Sequence, residues 1–185
     1  MSRLIIGLPP RGLWGVILLV ALSLFETVAA DKADSSKYGR KHLVELKLSD
    51  QHATTHLFEF PRQGATVFLV ASREGADLAR RWNTALVDSF GTEIEIHGVA
   101  SIGNVPIAFR SLAKAYIQDS TREPVLLDWS EVFPKPVSTP LLMRIVRSCG
   151  SFRDVSLGED LKRELRKVIA QIKRGSRPGM CLSCR

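Results

Sequence analysis

The chain has 185 residues, 45% of them hydrophobic and 24% charged, with a formal net charge of +7. That length suits one ordinary domain with a real core, and the hydrophobic share excludes an intrinsically disordered chain. The basic residues are spread along the sequence without interleaved aromatic side chains for bases to stack on, so nucleic acid is not an expected partner.

Arg3 and Arg11 give a positive start, and Leu13 to Phe25 is an uncharged apolar run of thirteen residues. A spanning helix needs about 18 to 20 apolar residues, and the small residues Val28, Ala29 and Ala30 suit a peptidase cut. Residues 1–30 therefore read as a cleavable export signal that delivers the protein to the periplasm or the medium, with a retained anchor as the alternative. Residues 31–41 are polar and turn-forming, and read as a flexible leader.

His42 to Leu48 alternates as a strand, a turn follows at Ser49-Asp50-Gln51, and Thr55 to Phe60 gives a second extended piece, so a hairpin opens the domain. Ala65 to Ala71 is continuously apolar, the pattern of a central strand covered on both faces. From Glu74 to Asp88 the residues Leu78, Trp82, Ala85 and Leu86 recur at helical spacing, with Gly91 as a stop and Trp82 in the core. Ile94, Ile96 and Val99 form the next strand. Asn104 and Pro106 start a second helix whose inward stripe is Val105, Phe109, Leu112 and Tyr116. Strand and helix thus alternate, which argues a parallel sheet with helices on its faces.

Pro124 to Trp129 gives one more buried strand, and a proline-rich linker runs from Phe133 to Pro140. Leu141 to Val146 and Phe152 to Leu157 flank a turn at Cys149-Gly150 and read as an antiparallel hairpin. Ser156 and Glu159 have capping-box spacing ahead of a final helix lined by Leu161, Leu165, Val168, Ile169 and Ile172. Residues 42–174 form the domain, and residues 175–185 a basic, cysteine-containing tail.

This order resembles the thioredoxin-like superfamily. LSDQHATTHLFEFP at 48–61 is similar to the opening of redoxins, its peroxiredoxin-like branch; VPIAF at 105–109 and PVLLDW at 124–129 are also similar to redoxin segments. TPLLMRIV at 139–146 resembles the superfamily strand that begins at a cis-proline, which would be Pro140. The resemblance covers about residues 43–174 and implies a three-layer α/β/α sandwich with a central mixed sheet, closed by a β-hairpin and a helix.

It also implies a reactive cysteine just after the central strand, where a helix N-terminus favours the thiolate. That stretch here reads Ser72-Arg73-Glu74-Gly75-Ala76-Asp77 and holds no sulfur. A serine cannot cycle between thiol and disulfide, and without an adjacent base it is a poor nucleophile. Ser72 or Asp77 is expected to cap the helix instead. A groove lined by Ser72, Arg73, Trp129 and Pro140 would then serve a protein or peptide partner rather than redox chemistry.

The chain's sulfur chemistry lies elsewhere, at Cys149, Cys181 and Cys184. Cys181 and Cys184 make a C-x-x-C in the last five residues, with no following helix to activate them and no second ligand pair for zinc. Outside the cytoplasm a structural disulfide is the first expectation for them, within the tail or to Cys149. A thiol-disulfide oxidoreductase using these three residues is the competing reading. His52 and His56 lie in an extended segment and are not expected to bind metal, no cofactor is expected, and the basic tail could make weak contact with an anionic surface.

Overall fold

The computed structural model describes residues 42–135 and 139–175. Within them, seven strands form one mixed sheet in the order β2-β1-β5-β4-β3-β6-β7. β1 (Glu45–Asp50) and β2 (Thr55–Glu59) make the expected antiparallel hairpin, with Leu46 opposite Phe58. β3 (Ala65–Ala71) is buried along its whole length: β4 (Ile94–Ser101) runs parallel on one side, β6 (Leu141–Val146) antiparallel on the other, and a cluster of apolar side chains covers each face. β5 (Val125–Asp128) is parallel to β4, and β7 (Phe152–Leu157) pairs antiparallel with β6. Gly150 closes that last turn at φ +89, where a Cβ would stand 2.1 Å from the Leu43 carbonyl oxygen, so both the conformation and the space call for glycine.

Two helices cover one face of the sheet. α1 (Ala76–Phe90) turns Leu78, Trp82, Leu86 and Phe90 inward, and α3 (Leu161–Gly175) adds Val168 and Ile172 to the same cluster around Val67, Leu69 and Met143. α1 ends as the sequence predicts, with Gly91 at φ +55. The cap of α3 lies four residues beyond the predicted Ser156. β7 runs on through Ser156, which pairs with Leu142, and it is the Asp160 side chain that accepts the Arg163 amide at 3.1 Å.

The other face is covered differently from the sequence expectation. β1 meets β5 at Ser49↔Leu127 and Asp50↔Leu126, so the hairpin is free to fold over the sheet beyond that short pairing. Leu46, Leu48, Phe58 and Phe60 pack there against Phe68, Val70, Val99 and Phe133, and the Phe58 and Phe68 rings meet edge to face with centroids 5.1 Å apart, although their strands are not neighbours. A short 3-10 turn (Ile107–Phe109) and α2 (Arg110–Ser120) are left at the margin. The expected inward stripe is wrong here: Phe109, Leu112 and Tyr116 are 58, 69 and 55% exposed, and α2 rests instead on half-buried Arg110, Ala113, Lys114 and Ile117. The hairpin's aromatic rings already occupy the apolar surface that the stripe would have used.

Candidate functional site

Because β3, β4 and β5 run parallel, their C-terminal ends open on one edge of the sheet, the edge where open α/β folds bind ligands. The segment after β3 turns tightly there: the Gly75 amide donates to the Ser72 carbonyl at 3.1 Å and the Ala76 amide to the Arg73 carbonyl at 3.4 Å. Pro140, immediately before β6, lies against this turn, and its carbonyl oxygen accepts from the Ser72 amide at 3.4 Å. The approach is close enough that a Cβ on Gly75 would sit 2.0 Å from that oxygen. Ser72, Arg73 and Pro140 are thus brought together as the sequence reading expects.

Two details of that reading are corrected. Neither Ser72 nor Asp77 caps α1: Gly75 occupies the cap position without a side-chain bond, the Ser72 hydroxyl bonds Glu74, and Asp77 pairs with Arg80. The hydrogen bond from Ser72 and that from its own backbone hold the exposed Glu74 carboxyl below its ordinary value. The cap falls to glycine because only a residue without a side chain tolerates the Pro140 carbonyl at that distance. Among the described residues the cis peptide bond is Phe60–Pro61, not the bond expected before Pro140.

Trp129 follows β5 at the same edge, half-buried, two strands from Ser72. α2 links it to the turn. The Arg110 guanidinium lies 4.9 Å from the Trp129 ring centroid, and the Arg73 guanidinium lies 5.2 Å from that of Tyr116. Behind Trp129, the buried Asp128 carboxylate accepts the Val132 and Phe133 amides, each at 3.0 Å, and so orders the loop. Arg110 and Tyr116 are members of this edge that sequence reasoning missed, since the stripe expectation had sent Tyr116 inward.

Cys149 does not lie at this edge. Cys149 is half-buried on the β6–β7 turn, 3.3 Å from the Ser151 hydroxyl, at the opposite end of β6 from Pro140. Six strand residues place it on the order of 20 Å away. Cys181 and Cys184 lie outside the described residues.

The Asp50-Gln51 pair in the redoxin-like opening proves structural. Gln51 is fully buried; its amide nitrogen donates to the Glu123 carbonyl at 2.7 Å and its amide oxygen accepts from the Val125 amide at 2.6 Å. Asp50 accepts the His52 and Thr54 amides and contacts the His56 ring at 2.9 Å. Gln51 thereby fixes the start of β5, at the end of that strand away from Trp129, and Asp50 fixes the β1–β2 turn.

No protein-family profile and no curated protein sequence matches this chain. Solved structures do. An exposed lipoprotein thioredoxin of Streptococcus pneumoniae superposes with a TM-score of 0.53 at 13% identity, over 69% of this chain and 99% of its own. A DsbF homologue from Corynebacterium diphtheriae gives 0.49 at 12% identity, over 72% and 87%. At such identity the pneumococcal match establishes the fold, which is thioredoxin-like, and fold alone does not carry activity.

Proposed function

We propose that this thioredoxin-like chain is an exported binding or accessory module. It would work through the edge formed by Ser72, Arg73, Trp129 and Pro140, without thiol chemistry at the position where the fold usually performs it. The observation that carries this reading is the closed turn at 72–76. Its backbone is pinned to the Pro140 carbonyl, and the sequence there is Ser-Arg-Glu-Gly-Ala. Residues 72–77 beside Pro140 contain no sulfur, which supports binding rather than thiol chemistry there. The apolar run at 13–25 and the small residues at 28–30 support export, with residues 42–174 as the working domain, and an extracytoplasmic address accords with the exposed lipoprotein that shares the fold.

The competing reading is a thiol-disulfide oxidoreductase using Cys149, Cys181 and Cys184, favoured by the thioredoxin fold itself. One pair of measurements separates the two. The purified chain should show no catalysed reduction of insulin disulfides by dithiothreitol, and should bind members of an immobilised peptide array in a manner lost in Trp129→Ala and kept in Cys181→Ser. Insulin turnover abolished by Cys181→Ser overturns the binding-module reading.

A further inference from the structure

We propose that an acid-sensitive latch holds the β1–β2 hairpin on the sheet, and that a proton taken up by His97 loosens it. His97 stands on β4 beside Phe68 of β3, and β2 closes over it. The Phe58 ring meets the imidazole edge-on with centroids 4.8 Å apart, and the Phe68 ring stacks on it at 5.7 Å. The ring nitrogen Nε2 is buried without a hydrogen bond, and the Glu95 carboxylate lies 3.6 Å from it. That carboxylate is already engaged, since it accepts the Arg62 guanidinium at 2.8 Å. Arg62 belongs to the segment leading from β2 into β3, and its guanidinium also lies over the Phe58 and Phe60 rings, 5.7 and 6.0 Å from their centroids. One ion pair and a set of aromatic rings thus join hairpin to sheet around a single imidazole.

The groups that oppose a charge on His97 and the group that favours it stand on different pieces. Phe58, which shields the ring from water, moves with the hairpin; so do Arg62 and His56, the latter in contact with Asp50 of β1 at 2.9 Å. Glu95 is on β4 and stays with His97. On the β6 side the charged neighbour is Arg144, set beside Phe68 and already paired with Asp154 at 2.7 Å, while β5 sets the uncharged Val125 opposite Gly98. Lifting the hairpin therefore brings water to His97, removes two basic neighbours and leaves it a carboxylate. The open arrangement binds the proton more tightly than the closed one, so acid favours opening. A charged His97 also competes with Arg62 for Glu95, which weakens the ion pair that fastens the hairpin. One proton changes the opening equilibrium by at most about tenfold per pH unit.

The test is amide hydrogen exchange on the full chain at pH 7 and pH 5, with each rate divided by the intrinsic exchange rate at that pH, so that opening constants are compared directly. Expected is a severalfold rise in the opening constant over residues 45–59 at the lower pH. The rise should be lost in His97→Gln, retained in His56→Gln and smaller in Arg62→Met, which leaves His97 in place and serves as the check where His97→Gln does not fold. An opening constant over 45–59 that is the same at both pH values overturns the proposal. A rise that survives undiminished in His97→Gln or in Arg62→Met also overturns it, as does one lost in His56→Gln, which assigns the effect to the His56–Asp50 contact within the hairpin.

Discussion

Burial pushes the Asp50 carboxyl up, yet the His56 ring and the amides of Thr54 and His52 outweigh it and hold the group below its ordinary 3.8. His97 moves down from 6.5 for the opposite balance: burial between the Phe58 and Phe68 rings disfavours the imidazolium more than Glu95 favours it, with Arg62 and His56 adding to the loss. Both folded values are depressed, so both contributions are present at high pH and lost on acidification, in separate windows. Below pH 6.5 the unfolded chain takes up a proton at position 97 before the folded one does. The urea midpoint of the wild type should therefore fall between pH 7 and 5, and His97→Gln should flatten that slope; an identical slope in the variant contradicts the account. The Asp50 contribution is lost only below 3.8, as the pH falls through its lowered value. Gly75→Ala tests the turn itself. Its added methyl must displace the Pro140 carbonyl, at about 1 to 3 kcal/mol, measured by denaturant unfolding. A cost near zero would mean that the turn and Pro140 are not held against each other.

At the scale of elements, β3 was legible because a seven-residue run with six apolar residues and no charge needs no knowledge of its neighbours: such a strand is covered on both faces wherever it lies. α2 was not legible in the same way. Periodicity reports that a helix has an apolar side, but which surface receives it depends on what else competes, and the β1–β2 hairpin holds that surface. The cap of α1 was missed for a similar reason, since the Pro140 carbonyl that demands Gly75 arrives from 65 residues away in the chain. The buried charge of β6 could have been read. Arg144 interrupts LLMRIV, and counting back from the 149–150 turn sets it opposite Asp154. There it makes hydrogen bonds of 2.7 and 3.0 Å, with Phe152 and Phe133 rings against the guanidinium. Removing one partner of so buried a pair costs about 3 to 5 kcal/mol, while replacing both with apolar residues of similar size is close to neutral. Asp154→Ala should accordingly destabilise far more than an Arg144→Met, Asp154→Leu double variant, in chemical unfolding. Equal losses would show that the stacking on the two phenylalanine rings, not the ion pair, holds Arg144.

At the scale of the whole molecule, the order of strands and helices made the thioredoxin-like fold legible, and its resemblance brought Ser72 and Pro140 to one place before any coordinates did. Trp129 follows β5 at the same edge and is linked to them through α2, by way of Arg110, Tyr116 and Arg73, and a ring contact of that kind leaves no mark on sequence spacing. The hairpin that displaced α2 has a further consequence. β3 is locked by main-chain bonds along both sides, whereas β1 and β2 pair with the rest of the sheet at two register positions, with further main-chain ties at their ends, where the Leu43, Gln51 and Arg62 amides donate to the Gly150, Val125 and Ser148 carbonyls. Opening the hairpin breaks fewer backbone bonds than removing β3 would, and uncovers Leu46, Leu48, Phe58 and Phe60 with the residues they pack on, so the protein has a natural first unit to detach below the global unfolding energy. Amides of Leu46, Lys47 and Leu57 should exchange with solvent well ahead of those of Val67 to Val70 under native conditions, and Phe58→Ala should widen that gap. The lid over this half of the core is then also its point of entry for water.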